Sequence, residues 1–104
     1  MAGEPGPFRL IIDPVAQATC DNLQKTDLGK WKKVNKALQL LKSNPRHPSL
    51  QAHKWGTLKG RAPGGQDYFT AYVENNTPSA WRIFFYYDPN ERGVIKIASI
   101  EPHR

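Results

Sequence analysis

A chain of 104 residues with 38% hydrophobic and 23% charged residues describes one globular domain with a modest core. Its formal net charge of +6 points to polyanionic partners. The single cysteine, Cys20, rules out an internal disulfide, and no apolar run approaches the ~18–20 residues that span a bilayer.

Residues 1–7 are rich in Gly and Pro and read as a flexible N-terminus without the apolar or basic regions of a leader, which leads to a cytoplasmic expectation. Phe8 to Ile12 reads as a first strand. Asp13-Pro14 is a helix start, an acid at the N-cap with proline at the first helical position. Val15, Ala18, Thr19 and Leu23 follow at helical spacing until Asp27 to Gly29 interrupts the pattern. In the second helix Trp31, Val34, Leu38 and Leu41 step by three, four and three, which places them on one face. Lys32, Lys33 and Lys36 fall off that stripe, and Asn44-Pro45 ends the helix. A short turn between the helices predicts an antiparallel hairpin.

Arg46 to Gly65 reads as a long irregular segment. Three strands follow, Asp67 to Glu74, Ala80 to Asp88 and Val94 to Glu101, whose short connections predict an antiparallel meander. The expected order is β-α-α-β-β-β. It describes an α+β fold in which a two-helix hairpin packs on one face of a small antiparallel sheet, as a single domain over residues 8–104.

The charge is unevenly placed. No Asp or Glu occurs between Asp27 and Asp67, a stretch that carries Lys30, Lys32, Lys33, Lys36, Lys42, Arg46, Lys54, Lys59 and Arg61. Such a block attracts polyanions by counterion release, although a solvated basic surface is the bland alternative. Within the aromatic strand, alternation places Arg82, Phe84 and Tyr86 on one face and Trp81, Ile83, Phe85 and Tyr87 on the other. A guanidinium there needs carboxylate, phosphate or water for its five donors, so a phosphate clamp competes with a salt bridge to Glu74 or Asp88. His103 and His53 are imidazoles suited to proton transfer at neutral pH, with terminal fraying and surface decoration as their ordinary readings. No Cys or carboxylate stands at ligand spacing from the three histidines, which argues against a zinc site, and no cofactor motif is present.

Three features together resemble the RelE/ParE superfamily of toxins from toxin–antitoxin pairs. The second helix runs through Leu40-Leu41-Lys42-Ser43-Asn44-Pro45 into His47-Pro48-Ser49-Leu50 and His53-Lys54. The central strand carries Trp81-Arg82-Ile83-Phe84-Phe85-Tyr86-Tyr87, and the last strand ends in Pro102-His103. The resemblance implies two helices on a small sheet, and a metal-independent endoribonuclease that cleaves mRNA, sometimes on the ribosome, by attack of the 2′-hydroxyl on the adjacent phosphorus. It also implies an antitoxin partner and no cofactor. Carried over, Arg82 would stabilise the transition state and His103 would act as general acid or base. Lys54 would hold phosphate or help activate the 2′-hydroxyl, with His53 as a second base. Lys59, Arg61 and Arg46 would contact the RNA backbone, and Tyr86 or Tyr87 would stack on a base. The ParE-like alternative inhibits DNA gyrase without cleaving anything, and the His103 ending argues against it. A non-catalytic basic RNA-binding module is the third reading.

Overall fold

The computed structural model describes residues 7–54, 65–74 and 80–102. Strand β1 (Arg9–Ile12) leads into helix α1 (Pro14–Thr26) and helix α2 (Leu28–Ser43). A single 3₁₀ turn (Pro48–Leu50) then precedes β2 (His53–Lys54), β3 (Phe69–Tyr72), β4 (Trp81–Tyr87) and β5 (Val94–Pro102). The sheet order is β1-β5-β4-β3-β2, with β3, β4 and β5 forming the expected meander.

Two features depart from the sequence expectation. The sheet is mixed, because β1 pairs parallel to β5. The helical hairpin carries the chain from β1 to the opposite edge of the sheet at β2, and the antiparallel strands that follow bring β5 back beside β1 in the same direction. The segment read as irregular also contains the 3₁₀ turn and β2, an edge strand of two residues antiparallel to β3. Two residues carry no periodicity that a sequence could display. Gln51 makes the reversal between turn and strand with φ of 47°, the one left-handed non-glycine residue among those described.

One residue separates the helices. The backbone N–H of Asp27 closes α1 onto the Leu23 carbonyl at 2.9 Å, while its carboxylate accepts from Lys30 N–H at 3.0 Å and caps α2. The expected stripe on α2 is the buried one, with Val34, Leu38 and Leu41 inside the core and Trp31 packed against it. On α1 the buried face is Ala16, Cys20 and Leu23, and Val15 is exposed. Of the expected stripe only Leu23 is buried, so the buried face is turned away from Val15 and Ala18. Asp13 leaves α1 without a side-chain cap, and its backbone N–H instead bonds to Ile97 O at 2.9 Å, which ties the end of β1 to β5.

The core lies between the helices and one face of the sheet, where Ala71, Ile83, Phe85, Ile95, Ile97 and Ile100 meet the helix residues. A bulge makes this set possible. Phe84 pairs with Ser99 but Phe85 pairs with Ile97, so Ala98 is the extra residue on β5. The extra residue reverses the alternation, and Ile97 and Ile100 both face the core despite their odd spacing.

Candidate functional site

Cross-strand pairs share a sheet face, so the register sorts the side chains. Tyr72, Arg82 and Glu101 form one row across β3, β4 and β5, and His53, Thr70, Phe84 and Ser99 form the next row on the same face. Tyr86 and Lys96 complete it. The opposite face carries Lys54, Phe69, Phe85 and Ile97 in one row and turns toward the helices.

Arg82 is 7% exposed, and its guanidinium is held by Tyr72. Nη2 donates to the phenol oxygen at 2.9 Å, and the guanidinium carbon lies 4.5 Å from the ring centroid. The salt bridges considered from sequence do not form. Glu74 is engaged by Lys30 at 2.6 Å, by Lys33 at 3.3 Å and by the Trp81 N–H at 3.1 Å. Asp88 faces Lys96 at 3.7 Å and accepts from Asn90 N–H at 2.7 Å. A cation seated on an aromatic ring keeps its charge while losing conformational freedom, a useful state for a group that meets an anion.

The two candidate tyrosines separate. Tyr86 lies on the Arg82 face, edge-on to Tyr68 with centroids 5.8 Å apart, and burial pushes its phenol up while Lys96 pulls it down. Tyr87 lies on the other face against Phe8, Phe69 and Phe85. Burial raises its phenol too, and the nearby charge of Arg46 opposes that rise.

The two candidate residues of β2 separate in the same way. His53 shares the face of Arg82, and its Nδ1 lies 2.9 Å from Gln51 O. A carbonyl only accepts, so Nδ1 carries the proton and Nε2 is the nitrogen left to face a substrate. Lys54 is on the Phe69 side and reaches Asp67 at 3.4 Å. Lys59, Arg61 and His103 lie outside the described residues. Pro102, which precedes His103, pairs with Trp81, the neighbour of Arg82.

The electrostatics differ from the expected single basic surface. Lys30, Lys32, Lys33, Lys36 and Lys42 belong to α2, which packs against the face opposite Arg82. Beside Arg82, a groove of about 500 Å³ is lined by Asp13, Glu101, Ser99, Tyr68 and Phe84 among others. Asp13 and Glu101 place carboxylates on this face, Glu101 as the register partner of Arg82. A second groove of about 300 Å³ runs between α2 and β3, and Tyr72, Lys33 and Lys36 are among the residues that line it. Tyr72 thus belongs both to the Arg82 site and to the lysine-rimmed groove. Sequence reasoning missed it, because the Tyr72–Arg82 register depends on the turn geometry between β3 and β4.

No protein-family model and no curated protein matches this sequence. Solved structures do match in shape. A YoeB/ParE toxin from Agrobacterium tumefaciens superposes with a TM-score of 0.68 at 12% identity, covering 93% of this chain and 100% of that one. The YoeB dimer from Staphylococcus aureus gives 0.62 at 19% identity, with 95% and 100% covered. The RelE–RelB complex from Pyrococcus horikoshii gives 0.63 at 15%, with 92% and 94% covered. The chain therefore has the α+β fold of RelE/ParE-superfamily toxins, with two helices on a five-stranded mixed sheet.

Proposed function

We propose that this protein is the toxin of a toxin–antitoxin pair and acts as a metal-independent endoribonuclease on mRNA. The observation that carries the reading is Arg82, a buried cation seated on Tyr72 in the central strand of this toxin fold. The 2′-oxygen attacks phosphorus and the bond to the 5′-oxygen breaks, leaving a cyclic phosphate and a 5′-hydroxyl. Arg82 supports the charge that grows on the phosphoryl oxygens, and preorganised donors of this kind are commonly the largest catalytic contribution. Of the two imidazoles, one takes the 2′-hydroxyl proton and the other protonates the leaving oxygen. His53, with Nε2 available on the Arg82 face, suits the first role, and His103 the second. Lys54 serves the phosphate from the sheet edge. Lys59 and Arg61 contact the backbone, and Tyr86, on the Arg82 face, is the tyrosine placed to meet the substrate.

The partner is an antitoxin, as in the RelE–RelB complex whose fold the chain shares. The protein works in the cytoplasm, where mRNA and ribosomes are found. Among the described residues no helix is long and apolar enough to cross a membrane.

One observation favours a second reading. Asp13 and Glu101 line the groove beside Arg82, and carboxylates suit a protein surface better than RNA, as a ParE-like inhibitor of DNA gyrase would require. Primer extension on an mRNA incubated with the protein and EDTA, with and without ribosomes, separates the two. Discrete cuts that disappear with Arg82→Ala and with His103→Ala support the nuclease. Intact RNA in every lane, with gyrase inhibited in a supercoiling assay, overturns it.

A further inference from the structure

A groove of about 490 Å³ opens on the face opposite Arg82, between the α2–β2 connection and the far end of β4. Phe69, Phe85 and Tyr87 form its aromatic wall, with Arg46, His47 and Gln51 on its rim. Phe69 and Phe85 stack with centroids 5.7 Å apart, and Phe69 meets the Tyr87 ring edge-to-face at 5.4 Å. Phe85 is fully buried, whereas Tyr87 remains 37% exposed, so the phenol ring is the part of the wall that a ligand can cover. Arg46 is exposed and close enough for its charge to act on that phenol. His47 Nδ1 accepts from Ser49 N–H at 3.1 Å, which leaves the Nε2 proton of the neutral ring as a donor.

We propose that this groove is a subsite for one nucleotide of single-stranded RNA, with the base stacked on Tyr87 and its phosphate held by Arg46. An aromatic face beside a guanidinium is the combination by which proteins hold unpaired bases without sequence preference. The route from the Arg82 face is short, because the sheet edge between them is the two-residue strand β2. His53 faces the Arg82 side of that edge and Lys54 the Tyr87 side, so an imidazole and an ammonium lead a phosphodiester backbone around it. Along β4, Arg82 and Tyr87 are five residues, or roughly 17 Å, apart. A chain passing over β2 therefore contacts the subsite a few nucleotides from the phosphate at Arg82. The inference rests on the nuclease reading for its substrate class but uses a separate set of side chains.

The test measures binding of a short, fluorescently labelled, 2′-O-methylated single-stranded RNA, which cannot be cleaved. Arg46→Ala and Tyr87→Leu should each weaken binding by about ten-fold. Arg46→Ala should also reduce the slope of log affinity against log salt by about one. Tyr87→Phe keeps the ring and should bind like the wild type, which separates stacking from any disturbance of the aromatic cluster. Wild-type affinity in both Arg46→Ala and Tyr87→Leu overturns the subsite. If Arg82→Ala alone weakens binding, the subsite falls and the nuclease reading stands. If the wild type binds no RNA, both fall. Unchanged RNA affinity with lost antitoxin binding in Tyr87→Leu would reassign the groove to the protein partner and reject the proposal.

Discussion

Tyr72 and Arg82 are register partners on adjacent strands, and the phenol both accepts from the guanidinium at 2.9 Å and lies beneath its carbon at 4.5 Å. Tyr72→Phe keeps the ring and removes one hydrogen bond, whose net worth is about 0.5–1.5 kcal/mol. If Arg82 acts on the transition state, that loss should lower kcat by roughly 3- to 10-fold with little change in KM. Tyr72→Leu also removes the cation–π contact, worth up to about 2 kcal/mol when desolvated, and should cost roughly 100-fold. Steady-state cleavage of a defined RNA checks both. Equal losses in the two variants would show that the ring contributes nothing.

Glu74 ties three elements together. Lys30 and Lys33 of α2 pair with its carboxylate, the Trp81 N–H of β4 donates to it, and the Lys30 ammonium lies 5.5 Å from the Trp81 ring. Partial burial pushes the Glu74 carboxyl up, but the bonds from Lys30 and Trp81 outweigh it, and the pKa lies below the ordinary glutamate value. A carboxyl whose folded pKa is depressed contributes stability that is present above the unfolded pKa, near 4.3, and lost as pH falls through the folded value. Glu74→Gln should therefore lower stability by about 1 kcal/mol at pH 7, after allowance for solvent screening, and by less near pH 3. Urea titrations of both proteins at the two pH values give the difference, and a gap that widens in acid would contradict the assignment.

Long-period features were legible in the sequence and short-range ones were not. The α2 stripe Trp31, Val34, Leu38 and Leu41 holds four residues at helical spacing, and the alternation of Arg82 to Tyr87 gives the two faces of β4 as observed. On α1, Val15 outweighs Ala16 in a hydrophobic pattern, and of the expected stripe only Leu23 shares the buried face with Ala16 and Cys20. The parallel β1–β5 pair depends on pairing across distant sequence, and the Tyr72–Arg82 contact on the register of a hairpin, neither of which a periodicity encodes. The same limit hid the separation of the α2 lysines from the Arg82 face, since a charge block in sequence does not say which side of the sheet its helix will cover.

Cys20 is buried at 1% exposure, and burial raises its thiol above the ordinary value. The reactive thiolate is thus disfavoured by both access and charge. A dithiobis(nitrobenzoate) assay should find Cys20 silent in the native protein and fully reactive in denaturant. Its native labelling rate should follow the opening equilibrium of the α1–sheet core and rise in variants that destabilise it. Prompt native labelling would place Cys20 outside that core.

Ala98 offers a sharper test of the fold, because it is the extra residue of the β5 bulge. Inserting one alanine after it forces Ser99, Ile100 and Glu101 to exchange faces if the bulge still holds a single extra residue and pairing with β4 continues. Ile100, only 3% exposed, would leave the core, and the Glu101 carboxylate would move toward it. Loss of one buried isoleucine costs about 1.5–3 kcal/mol, and placing an unpaired carboxylate against apolar side chains adds to that. The insertion should therefore destabilise by more than about 4 kcal/mol, a large share of the ~5–15 kcal/mol that holds a domain of this size. Deleting Ala98 instead leaves Phe85–Ile97, Phe84–Ser99, Ile83–Ile100 and Arg82–Glu101 as consecutive pairs, keeps every face and should be the milder change. Urea unfolding of the two variants side by side decides the matter. Near-native stability of the insertion would mean that β5 absorbs the added residue elsewhere, and that the bulge does not set the face on which Glu101 stands beside Arg82.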